Sequence, residues 1–72
     1  MDVLEVLKSI KEDVDFESST DFIEDGLLDS FDLVNLVSEL EAVFDIEIRG
    51  VDIIPENFTS IETITELVEK YQ

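Results

Sequence analysis

Twenty Asp and Glu stand against four Lys and Arg in this chain, a formal net charge of −16 over 72 residues, and this imbalance limits what it can fold into. Unpaired carboxylates stay in water, so a core has to be assembled from apolar residues spaced to leave every acid outside. The apolar share, 44%, is enough for that, since disordered chains pair high charge with too little surface to bury. One domain over residues 1–72 is expected, with a modest margin of stability. The charge repels polyanions and anionic lipid, which argues against nucleic acid as a partner and against membrane insertion. It attracts proteins with basic patches, less strongly as salt rises, and self-repulsion points to a monomer.

Cysteine and histidine are both absent. That removes disulfides, thiolate and imidazole metal ligands, the Cys nucleophile and the usual neutral-pH base, which excludes most enzyme chemistry; the chain is expected to be a non-enzyme, with no catalytic residue and no metal site assigned. The opening Met1-Asp2-Val3-Leu4-Glu5 has neither a basic region nor an apolar run, so no signal peptide or membrane span is expected and the cytoplasm is the default location.

Helical spacing of three and four links Val3, Val6, Leu7, Ile10 and Val14 and predicts a first helix over roughly residues 2–14. Residues 15–29 lose the period and read as a long ordered loop, anchored through Phe16, Phe22, Ile23, Leu27 and Leu28; loops of this length tend to be functional. A second helix is predicted from Ser30, with Asp29 as its cap and Asp32 adding favourable charge to the first turn. Its apolar set is Phe31, Val34, Val37, Leu40, Val43 and Phe44, widened by Leu33 and Leu36. The alternation from Asp45 to Ile54 has no partner strand and reads as a loop. Pro55 opens a short helical turn, and Thr59 with Glu62 forms a capping-box pattern ahead of Ile61, Ile64, Leu67, Val68 and Tyr71 in a last helix.

The run Gly26-Leu27-Leu28-Asp29-Ser30-Phe31-Asp32-Leu33-Val34, followed by Leu40-Glu41 and Phe44-Asp45-Ile46-Glu47-Ile48, resembles the acyl and peptidyl carrier family. The resemblance implies an all-α fold, an acyl-carrier-like bundle of three main helices plus one short helix. It implies that Ser30, after Asp29, receives a covalent 4′-phosphopantetheine arm from coenzyme A through a phosphopantetheinyl transferase. The arm's thiol would hold an acyl or aminoacyl group for loading and processing enzymes of fatty-acid, polyketide or related biosynthesis. Ser beside Asp at a helix start is commonly only a cap, and the flanking pattern is what favours attachment. A hydroxyl there lies beside unsatisfied N–H groups and the positive end of the helix, which suit an attached phosphodiester. Ser30 is a poor nucleophile unaided, since Lys8, Lys11 and Lys70 would have to serve as base from other helices. The resemblance also makes the second helix a docking surface for basic partners, through Phe31, Asp32, Val34, Glu39, Glu41 and Glu47. Singly, such carboxylates are usually just solvated, and Val34 suits core and interface equally.

The chain departs from many fatty-acid carriers, which have Leu or Met after the modified Ser and an acid three positions beyond, where this one has Phe31 and then Asn35, with Ser38 further along. The stretch from Glu56 to Ile64 is more similar to stand-alone aminoacyl carriers, including D-alanyl carriers served by a dedicated adenylating enzyme, although Phe31-Asp32-Leu33 does not match the small or Gly-containing sequence that D-alanyl carriers often have after the modified residue. Two rival readings come from other classes. Asp13, Asp15, Glu17, Ser19, Asp21 and Glu24 fall at the ligand positions of a calcium-binding EF-hand loop, although Ser18 stands where Gly makes the sharp turn and Gly26 interrupts the following helix. The other is an acidic adaptor that never bears an arm.

Overall fold

The computed structural model describes residues 2–72, so of the opening run only Met1 lies outside it. Three α-helices carry the fold: α1 (Val3–Ile10), α2 (Ser30–Phe44) and α3 (Ile61–Tyr71), with short 3₁₀ turns at Phe16–Ser18, Gly50–Asp52 and Pro55–Phe58. No strand occurs among the described residues, which matches the expected helical bundle; the short elements number three rather than one. No helix in this structure is long and apolar enough to cross a membrane.

α1 starts where Asp2 accepts from the Glu5 N–H at 3.0 Å. Its last helical residue is Ile10, four residues earlier than the apolar spacing suggests, because Lys11 leaves helical geometry (φ −143°, ψ 86°). Glu12 and Asp13 would otherwise bring two carboxylates to the negative end of the helix, where they are unfavourable. Val14 still packs against the core from outside the helix, so it matched the period without sharing the element.

The connection from α1 to α2 is pinned by aromatics. Phe16 and Phe22 are buried and meet edge to face, with ring centroids 5.1 Å apart, a contact worth about 0.5–1.5 kcal/mol beyond the area it buries. The Phe22 N–H donates to the Thr59 carbonyl at 2.7 Å, while its own carbonyl accepts from Leu27 and Leu28 at 2.8 and 3.2 Å. Gly26 makes this return possible, since its φ of +75° lies in the left-handed region open to glycine.

α2 buries Leu33, Leu36, Val37 and Leu40. At 100° per residue, Phe31 lies about 170° and Val34 about 110° from the centre of that stripe; both are exposed, at 73% and 62%. The expected apolar set therefore divides between two faces. The helix stops at Asp45, a non-glycine in the left-handed region (φ 53°), a conformation that Asp tolerates better than most.

α3 begins one residue later than the Thr59–Glu62 box implies. Thr59 stays in helical geometry at the end of the preceding turn, with its carbonyl engaged by Phe22. The extended Ser60 is the cap: its Oγ accepts from the Thr63 N–H at 3.1 Å, and the Thr63 hydroxyl accepts from the Ser60 N–H at 3.1 Å. Phe58, Ile64, Leu67 and Val68 join α1 and α2 in one apolar core with no buried polar or charged residue among those described. Before α3, the alternating stretch forms no strand, as expected, but Gly50–Asp52 within it is a 3₁₀ turn rather than plain loop; Asp52 ties it down by accepting from Tyr71 Oη and from Lys70 Nζ at 3.0 Å.

The Tyr71 hydroxyl, then Lys70, hold the Asp52 carboxyl below its ordinary value. A carboxyl depressed in the folded state stabilises it above the unfolded pKa, and the contribution vanishes as pH falls through the folded pKa. Thermal unfolding of wild type and Tyr71→Phe should therefore differ above about pH 4 and converge below it, with the variant melting lower at neutral pH. A gap that does not change with pH would show that the hydroxyl acts through packing instead.

Candidate functional site

Ser30 is the first residue of α2 and is exposed. Asp29 puts it there. With an extended backbone (φ −108°, ψ −176°), Asp29 accepts from the Asp32 N–H at 2.9 Å, and Asp32 Oδ2 accepts from the Asp29 N–H at 3.2 Å. Two acids thus form the reciprocal box usually built from Ser or Thr with Glu. The N–H groups of Ser30 and Phe31 have no intrahelical acceptor, as at any helix start, and the helix dipole makes this end positive. The Ser30 hydroxyl has no hydrogen-bond partner among the described residues, so nothing in the described chain competes for it.

The approach to Ser30 is as firmly held as the helix behind it. Leu28 is buried and Leu27 packs on the core, both with N–H groups on the Phe22 carbonyl. From the far side Lys11 reaches over: its Nζ lies 2.7 Å from Asp32 Oδ2 and 3.0 Å from the Leu27 carbonyl oxygen. Foremost through this Lys11 hydrogen bond, with help from the Asp29 N–H, the Asp32 carboxyl is held below its ordinary value.

The acidic residues read as one docking group have different surroundings. The Asp32 side chain is 14% exposed and faces Lys11. Glu41 is half-buried and accepts from the Ile48 N–H at 2.9 Å, tying the following loop to α2. Glu39 and Glu47 are exposed, as are Phe31 and Val34. The outward face of α2 is completed by Asn35, Ser38 and Ala42, so in this acidic chain it is nearly free of charge.

The EF-hand positions do not converge. Asp15 accepts from the Ser18 hydroxyl at 2.6 Å, which holds its carboxyl below the ordinary value. Asp21 caps its own turn through the Ile23 and Glu24 N–H groups at 3.1 and 3.0 Å. Among the described residues no three carboxylates gather as a metal site requires. A shallow groove of about 260 Å³ is lined by Asp21, Ile23, Glu24, Pro55, Glu56 and Thr59, none of them from α2. Lys11 is the residue that sequence reasoning passed over as a neighbour of Ser30; only the folded chain brings it to Asp32.

The family model described as the phosphopantetheine attachment site matches residues 2–69. Aminoacyl carrier protein 1 of Bradyrhizobium diazoefficiens is 49% identical over 41 residues, which covers 57% of this chain and 46% of that protein. The match thus spans less than half of the relative's length. No solved structure matches.

Proposed function

Because this chain belongs to the phosphopantetheine attachment family, whose members are carriers rather than enzymes and bear 4′-phosphopantetheine covalently, we propose that Ser30 is the residue that bears the arm. The observation that carries this reading is an exposed, uncommitted hydroxyl at the first position of a capped helix. The site fits the group. Ser30 Oγ is open to an approaching enzyme, and the outward N–H groups of the first turn favour the phosphodiester anion that results. In the transfer, Ser30 Oγ bonds to the pantetheine-side phosphorus of coenzyme A and the phosphoanhydride bond breaks. Adenosine bisphosphate leaves with that electron pair, and the hydroxyl proton passes to a base of the transferase, since Ser30 Oγ has no hydrogen-bond acceptor among the described residues. Once attached, the arm supplies a thiol on which acyl groups are carried as thioesters.

The reading takes residues 1–72 as one domain, monomeric and working in the cytoplasm, with self-repulsion of its acidic surface opposing self-association. A phosphopantetheinyl transferase and biosynthetic enzymes are its partners. We take their landing place to be the outward face of α2, where Phe31 and Val34 supply apolar contact and Glu39 and Glu47 attract basic side chains at the edges. Aminoacyl cargo is the reading favoured for the thioester, supported by the name of the matched relative and by the stretch from Glu56 to Ile64.

Three outcomes follow. Incubation with coenzyme A, Mg²⁺ and a broad-specificity transferase should add one phosphopantetheinyl group by intact mass. Ser30→Ala should add none while keeping the wild-type circular dichroism spectrum; modification of Ser30→Ala would move the site elsewhere. Phe31→Ala should raise the transferase KM, and Glu39→Gln with Glu47→Gln should flatten its salt dependence; unchanged values in both would remove α2 as the docking face. Finally, the holo chain offered an adenylating enzyme, ATP and amino acids should gain an aminoacyl mass. Loading from fatty acyl donors alone would reverse the cargo assignment.

A further inference from the structure

Of the four cations in the chain, Lys11 alone pairs with a side chain of α2 among the described residues. Its position is unusual in another way. It is the residue at which α1 leaves helical geometry, and its side chain is two-thirds covered. One ammonium group joins three segments: its own backbone closes α1 by donating to Leu7 O at 3.0 Å, and its Nζ holds both the Leu27 carbonyl and Asp32. Leu27 lies three residues before Ser30 and Asp32 two after it, so along the chain the two contacts bracket Ser30.

Resting on the reading of Ser30 as the attachment residue, we infer that Lys11 is a positioning residue for modification of Ser30, clamping the loop and the first turn of α2 on either side of the hydroxyl. An isolated surface ion pair contributes little to stability, and the value of this one is geometric. Asp32 Oδ2 serves both the Lys11 contact and the Asp29 N–H, so Lys11 fixes the carboxylate that completes the cap. Without it, Asp32 is free to swing to solvent, the box opens on one side, and the Leu27 carbonyl loses its donor. Misplacing a reacting group by an ångström can cost up to about a hundredfold in rate, and Ser30 reacts inside another enzyme's site, where its direction has to be set in advance.

The test uses the full chain, coenzyme A and a transferase, with modification mapped to Ser30 by peptide mass. Steady-state rates are measured for wild type, Lys11→Met, Lys11→Arg, Asp32→Asn and the double variant Lys11→Met/Asp32→Asn, each checked for folding by circular dichroism. Lys11→Met should lower kcat roughly tenfold with little change in KM, Lys11→Arg should restore most of it, and the double variant should be no worse than Lys11→Met, as expected of residues acting as one unit. Should Lys11→Met fail to fold, Asp32→Asn, which keeps a capping oxygen, must still lower kcat; a wild-type kcat there overturns the proposal. So does a wild-type kcat in folded Lys11→Met, a loss that appears only in KM, or additive losses in the double variant. If wild type itself is modified somewhere other than Ser30, the attachment reading fails first and this one with it.

Discussion

Phe22 holds together parts of the chain that have no other reason to meet. Its ring is buried against Phe16, its N–H is spent on the segment just before α3, and its carbonyl receives the two residues that lead into α2. A connection as long as residues 11–29 closes at an entropic cost that grows slowly with length, and most of its polar side chains bury nothing. Phe16, Phe22 and Leu28 offset that cost and, in doing so, decide where the second helix begins. The start of α2 is thus a product of tertiary packing as much as of its local cap.

The acid surplus is partly put to structural use. Asp2 and Asp29 cap helices, Asp21 caps its own turn, Glu41 ties a loop to α2, and Asp52 joins the segment before α3 to its end. Each works by accepting hydrogen bonds that charge makes stronger. No carboxylate is buried among the described residues, so the core escapes the heavy desolvation cost of an unpaired charge.

Much of this was legible in the sequence, for reasons that differ by element. The beginning of α2 was readable because its determinants are local: Asp29, Ser30 and Asp32 lie within one turn. The turn at Pro55 was readable for the same reason. The end of α1 was not, because Val14 keeps the helical period while lying outside the helix, and periodicity alone does not register where backbone geometry changes. The cap of α3 slipped by one residue because Thr59 and Ser60 can both cap; Ser is the better of the two, and Phe22 draws on the Thr59 carbonyl. The placement of Ser30 at the first position of α2, with Asp29 as its cap, followed from pattern. That Asp32 and Glu41 turn toward the chain's own groups depends on Lys11 and on the Ile48 N–H, partners that a list of carboxylates does not contain.

The nearly uncharged outward face of α2, taken as the docking face, has a consequence for how long a partner would remain there. Attraction from the whole acidic surface acts at a distance and sets how often basic partners arrive, whereas lifetime depends on short-range contact. On this face that contact is little more than Phe31 and Val34, with no dense set of ion pairs to break on leaving. On the docking reading proposed above, arrival and departure would both be fast, which suits a carrier that serves several enzymes in succession, because residence on one would not delay the visit to the next.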